Sequence, residues 1–141
     1  LTDYCRQLSE RHEVRIEIAR IAENLCVDNE RIVQLYRIAQ EAIANAAKHA
    51  RAQRIEVSID DLNAGSMVMM TVVDDGIGIS VGPQAPNGGG LGMRMMAYRA
   101  RMINAELQIG RHHPAGTLVR CTIRCAGCTA TCAKKTDRAG S

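Results

Sequence analysis

At 141 residues and a net charge of +3, the chain has the length of one domain with a two-layer core, and it is too weakly basic to argue for nucleic acid as a direct partner. Phe and Trp are absent and only three Tyr are present, so the core must be built from Ile, Val, Leu, Ala and Met. No apolar run approaches the length of a membrane span, and no basic segment followed by an apolar one marks a signal peptide. Six cysteines without any sign of secretion point to a reducing cytoplasm and away from a disulfide framework. The chain begins inside what reads as a helix. The expectation is a piece of a longer protein, whose membrane anchor or sensor would lie upstream.

LTDYCRQLSERH has helical spacing that ends near His12, and VRIEIARI alternates well enough to predict a strand from about Val14. Asp28, Asn29 and Glu30 then place oxygen side chains and acids where a helix N-terminus favours them. The run that follows to Ala50 contains no Gly or Pro. In it Ile32, Tyr36, Ala39, Ile43, Ala46 and Ala50 recur at three- and four-residue steps, which predicts one buried stripe on a long helix. Residues 54–60 alternate as a strand, NAGS at 63–66 reads as a hairpin turn, and MVMMTVVD returns as a second, largely buried strand ending at Asp74. A glycine- and proline-containing stretch follows. LGMRMMAYRARMINA, from Leu91, predicts another helix, and ELQIG and TLVRCTIR predict strands joined by the turn RHHPAG. This order predicts an α+β fold, a two-layer α/β sandwich whose mixed, mostly antiparallel sheet is covered on one face by about three helices. The domain is expected to span residues 1–125, with residues 126–141 a flexible tail.

On the long helix, Arg37, Glu41, Asn45 and Lys48 step by four, four and three residues, lining up a base, an acid, an amide and a base roughly opposite the apolar stripe. A solvated face laced with ion pairs would carry the same charges, but Asn is a poor helix-interior residue unless its side chain has a task. Magnesium takes oxygen ligands and is commonly held by one or two protein oxygens, waters and substrate phosphates. Asn45 can supply such an oxygen, Glu41 can hold or polarise a coordinated water, and Lys48 can neutralise phosphate charge. The other feature is residues 72–93, where Asp74 and Asp75 introduce a run holding seven glycines. A carboxylate at the end of a buried strand can accept a hydrogen bond from an amino group such as adenine's, while Gly76 and Gly78 leave room for a flat ring. Gly88, Gly89, Gly90 and Gly92 bring backbone N–H groups to the start of a helix, a natural anion site.

These residues carry a resemblance. YRIAQEAIANAAKHA resembles the N box of the ATP-binding superfamily that includes DNA gyrase, heat-shock chaperones, sensor histidine kinases and MutL proteins. DDGIG (74–78) resembles its first glycine box, GGGLGM (88–93) its second, and AGTLVRCTI (115–123) its last motif, all in the superfamily's order. Within it, LGMRMMAYRARM and the short loop between the glycine boxes are similar to sensor histidine kinases of the nitrate- and redox-sensing type. The resemblance implies a Bergerat-type ATP-binding fold with ATP and Mg2+ as cofactors. It implies that Asn45 coordinates magnesium, Asp74 reads the adenine amino group and Gly78 lines the ring. Gly88, Gly90, Leu91 and Gly92 would shape a lid over the phosphates, Thr117 would support the adenine site, and Glu41 would order the magnesium shell. It further implies two partners: a histidine-bearing dimerisation domain of the same full-length protein, and a response regulator with a helix-turn-helix output domain. Two departures stand out. Met95 replaces a frequent Gly, and Asn104-Ala105 replaces a frequent Gly-Gly; both are expected to affect local packing alone.

Other readings remain open from the sequence. An anti-sigma-factor-type serine kinase would use the same pocket without a histidine domain, and a nucleotide- or metal-sensing module would use it without phosphotransfer. Cys121, Cys125, Cys128 and Cys132 have three, two and three residues between them, dense enough for a metal site, although one CxxC pair is fewer than a clean zinc site shows. Cys121 also falls in the last predicted strand, where a small hydrophobe is normally buried. His12 precedes Glu13, as a phosphoacceptor histidine would precede an acid, but its helix belongs to the ATP domain and a surface position is expected.

Overall fold

The computed structural model describes residues 1–23, 25, 27–48, 51–62, 66–77 and 90–124. Its elements run α1 (Thr2–His12), β1 (Arg15–Ile21), α2 (Asn29–Lys48), β2 (Arg54–Leu62), β3 (Met67–Asp74), α3 (Gly90–Met102), β4 (Ala105–Arg111) and β5 (Thr117–Arg124). The five strands form one sheet in the order β1-β2-β3-β5-β4. β1 pairs parallel with β2, and every other neighbour is antiparallel, giving the mixed, mostly antiparallel sheet expected.

Each element has a local cause. Asp28 caps α2: its Oδ1 accepts the Arg31 N–H at 2.8 Å while its carbonyl accepts the Ile32 N–H at 3.1 Å, satisfying donors that a helix start leaves free. β3 and β5 alternate without a break. Val68, Met70 and Val72 on β3, with Val119, Cys121 and Ile123 on β5, are buried, and the residues between them are half-exposed. The buried set meets Leu35, Ile38, Ala42 and Ile43 of α2 and Met96 and Ala100 of α3. All helices therefore lie on one face of the sheet, and methionine fills space that aromatic rings fill elsewhere. α3 ends at Met102, sooner than the predicted run to Ala105. Asn104 turns the chain with φ 52°, a left-handed conformation that Asn tolerates better than most residues, which explains why it can stand where Gly is frequent.

The stripe on α2 is wider than the predicted one: Ala39, Ile43 and Ala46 are buried as expected, and Ala50 lies outside the described residues. Ile32 and Tyr36 are half-buried, whereas Leu35, Ile38 and Ala42 are fully inside. α2 has three neighbours: the sheet, α1 through the Tyr4 hydroxyl donating to the Gln40 carbonyl at 3.1 Å, and α3 through Arg99 donating to Gln34 Oε1 at 2.8 Å. Its covered arc is consequently wider than one stripe. Among the described residues no helix is long and apolar enough to cross a membrane.

Candidate functional site

The last residue of β3, Asp74, pairs with Thr117, the first of β5. Both side chains fall in the helix-facing phase of their strands, at 4% and 5% exposure. The backbone N–H of Gly76 donates to Asp74 Oδ1 at 2.9 Å, and the N–H of Thr117 also reaches the carboxylate. Burial nevertheless pushes the Asp74 pKa above the ordinary carboxylate range, against the lowering effect of those two donors. Thr117 Oγ1 is buried with no hydrogen-bond partner among the described residues. Such an atom costs free energy unless something meets it, so a polar ligand group at this spot has a physical reason to bind.

Gly116 completes this corner. Its φ is +114°, and a Cβ there would overlap the Asp74 carbonyl oxygen, so both the backbone conformation and the close approach require glycine. Asp75, by contrast, is exposed. Its Oδ1 accepts the N–H groups of Gln53 and Arg54 at 2.9 and 3.0 Å. These bonds, that from Arg54 foremost, hold its pKa below the usual carboxylate range.

The C-terminal half of α2 comes to the same end of the sheet, because five residues, 49–53, separate Lys48 from Arg54, the start of β2. The first turn of α3 lies directly against α2. A Cβ at Gly92 would overlap Glu41 Oε1 and would stand 3.3 Å from Asn45 Nδ2. Of the line placed roughly opposite the stripe, Glu41 and Asn45 are half-buried beneath α3, and Arg37 and Lys48 at its ends are exposed. Glu41 is also near Tyr4, whose pKa is raised by burial and then by the Glu41 charge. Two hard oxygen donors, on Glu41 and Asn45, thus sit beside a glycine-started helix and fit a magnesium–phosphate group in donor chemistry.

The structure thus brings Glu41, Asn45 and Gly92 together where α3 meets α2, and Asp74, Gly76 and Thr117 together at the end of β3, with Lys48 exposed at the end of α2. Gly90 opens α3. Gly78 and Gly88, the side chain of Leu91, and Cys125, Cys128 and Cys132 lie outside the described residues. Cys121 is fully buried in β5, and burial pushes its pKa up to about 12. The described residues contain no group of three or more His, Cys, Asp and Glu placed to hold a metal. His12 is half-buried, its Nε2 shielded and without a partner among the described residues, not on the surface as expected. Sequence reasoning passed over Asp75, Gly116 and Tyr4. Strand alternation turns Asp75 outward if Asp74 faces in, and a Gly directly before an inward Thr was the available sign of close approach at position 116.

Comparison with known proteins gives a consistent picture. Residues 30–127 match the family of histidine kinase-, DNA gyrase B- and HSP90-like ATPases. The chain is 37% identical over 94 residues to the sensor protein NarQ homolog of Haemophilus influenzae, covering 67% of this chain and 16% of that protein. It is 38% identical over 92 residues to the oxygen sensor histidine kinase NreB of Staphylococcus carnosus, covering 65% of this chain and 26% of that protein. Among solved structures, the histidine kinase domain of the blue-light activated histidine kinase of Erythrobacter litoralis aligns with a TM-score of 0.71 at 23% identity, covering 92% of this chain and 61% of that one. The ATP-binding domain of PrrB from Mycobacterium tuberculosis aligns with a TM-score of 0.59 at 19% identity, covering 84% of this chain and 85% of that one. The structural likenesses bear on the fold, and the chain spans a minor part of the two sensor proteins.

Proposed function

We propose, for a chain that belongs to the family of histidine kinase-, DNA gyrase B- and HSP90-like ATPases, that it is the catalytic domain of a cytoplasmic sensor histidine kinase, binding Mg-ATP between α2 and the end of the sheet. The observation that carries the reading is the buried Asp74–Thr117 pair. A carboxylate held by two backbone donors and a hydroxyl without a partner among the described residues face inward together, and an adenine amino group and ring nitrogen match that acceptor and donor. Asp74 would accept from the amino group and Thr117 would satisfy its hydroxyl at the base, directly or through water. Asn45 would hold magnesium and Glu41 would order its waters. Bound magnesium supplies charge neutralisation across the phosphates. Lys48, exposed at the end of α2, would add positive charge there, and Gly88 to Gly92 would form the lid.

The terminal phosphate would pass to a histidine on a separate dimerisation domain, and then to a response regulator, here expected to carry a helix-turn-helix output domain. In such a transfer the protein contributes position and electrostatic stabilisation more than covalent chemistry. The match to an oxygen sensor histidine kinase supports transfer to a histidine. Calorimetric titration of the chain with a non-hydrolysable ATP analogue, with and without magnesium, is the test. One-to-one binding strengthened by magnesium is expected; a folded protein that binds no nucleotide would overturn the proposal.

A further inference from the structure

We infer that Asp75 is a positioning residue for base recognition: its carboxylate is a latch that fixes the end of β3 and, through it, the Asp74 carboxylate. The inference rests on the reading of Asp74 as the group that meets the adenine amino group.

Asp75 itself is exposed and strand alternation turns it away from its neighbour, so it cannot share the work of Asp74 directly. What it does hold is the start of β2. Its Oδ1 accepts from Gln53 N–H and Arg54 N–H, at 2.9 and 3.0 Å, and its own N–H donates to the Arg54 carbonyl at 3.3 Å. Three hydrogen bonds thus tie one residue to Arg54, which opens β2, and to Gln53 just before it. Gln53 is anchored in turn, because its carbonyl accepts the Arg15 N–H at the head of β1 at 2.9 Å.

The position of this latch is what gives it a function. The β2–β3 ladder stops at the pair Ile55↔Asp74, and strand ends open at small free-energy cost unless something closes them. On the β5 side, residue 74 is held by its pairing with Thr117 and by the close seat of Gly116 on its carbonyl. On the β2 side, the link beyond the last ladder pair is made by Asp75. A carboxylate that must meet one amino group in a fixed direction depends on a backbone held from both sides. The adjacent acids accordingly divide between them reading the base and holding the reader. The depressed pKa of Asp75 agrees with a side chain bonded in its charged form.

The test is titration of the whole chain with ADP and with GDP in the presence of magnesium, for the parent protein and for Asp75→Ala, Asp75→Asn and Asp74→Asn. Guanine presents a carbonyl oxygen where adenine presents its amino group, so the ratio of the two affinities isolates the Asp74 contact. The parent is expected to prefer ADP, and Asp74→Asn to lose roughly tenfold to a hundredfold of that preference. Asp75→Ala is expected to lose about tenfold of the preference, with GDP affinity unchanged. Asp75→Asn should keep the parent's ratio, because its amide oxygen can accept the same two N–H groups. An Asp75→Ala protein with the parent's ratio overturns the inference, as does one that weakens ADP and GDP equally, which is what general destabilisation would produce. Loss of the ratio in Asp75→Asn would make the charge responsible and overturn the latch. If Asp75→Ala does not fold, Asp75→Glu, which displaces the carboxylate by one methylene, takes its place with the same expected loss. A parent protein that does not distinguish ADP from GDP, or an Asp74→Asn variant with the parent's ratio, sinks the adenine reading itself.

Discussion

Replacing Gly92 by Ala separates stability from function in a way that follows from the packing of α3 on α2. Helix propensity alone favours the change, since Ala is better than Gly inside a helix by roughly 0.8–1 kcal/mol. The structure opposes it, because the new methyl group would overlap Glu41 Oε1 and crowd Asn45 Nδ2 at 3.3 Å. Overpacking typically costs about 1–3 kcal/mol, but here the obstructing atom is the end of a flexible side chain that is only half-buried, so the low end of that range applies. The two effects nearly cancel, and chemical denaturation should find stability within about 1 kcal/mol of the parent. Glu41 nevertheless has to leave its place. If it orders the magnesium shell, one hydrogen bond to a charged group is lost, roughly 1.5–3 kcal/mol, and affinity for a magnesium-loaded ATP analogue should fall about tenfold to a hundredfold. Binding without magnesium should change much less. Gly110→Ala is the control, because none of the described residues lies within 4 Å of a Cβ there, and it should leave binding untouched. Parent-like magnesium-dependent binding in Gly92→Ala would refute the placement of Glu41 beside the nucleotide, and a loss of stability well above 3 kcal/mol would refute the argument that Glu41 can yield.

Further predictions follow from single sites. Gly116→Ala combines a strained positive φ with overlap on the Asp74 backbone, which cannot move aside, so it should destabilise the domain by about 2 kcal/mol or more, read by urea unfolding. Nucleotide affinity should depend on pH through Asp74. Its raised pKa means that the acceptor is protonated, and binding lost, as pH falls through a value above the ordinary carboxylate range; calorimetry across that range should show the decline, and Asp74→Asn should abolish it. The sign for folding is different. A raised folded pKa makes Asp74 cost stability above that value, a cost relieved as pH falls, whereas the depressed pKa of Asp75 gives stability that is present above its unfolded value and lost only as pH falls through its lower folded value. Acid should therefore weaken binding before it opens the latch, measurable as a gap between the binding and unfolding pH midpoints. Cys121→Ser places a hydroxyl at a fully buried position and should cost about 1–3 kcal/mol, while the native thiol, with its pKa pushed up to about 12, should resist a thiol reagent until the protein unfolds.

Much of this molecule was set down locally and could be read from the chain. The bounds of β3 follow from its apolar run, those of β5 from its alternation, and the start of α2 from the capping oxygen of Asp28. In each case the cause lies within a few residues of its effect. Tertiary structure decided what depends on neighbours distant in sequence. It placed β5 between β3 and β4, which is what brings Thr117 beside Asp74. It surrounded α2 on three sides, so Leu35, Ile38 and Ala42 join the predicted Ala39, Ile43 and Ala46 in the buried arc, and Glu41 with Asn45 lie half-buried under α3. It also divided the acid pair. Alternation alone sends Asp74 and Asp75 to opposite sides, but only the approach of residues 53 and 54 turns the outward carboxylate into a bonded group, and only the absence of a side chain at Gly116 lets β5 close on the inward one.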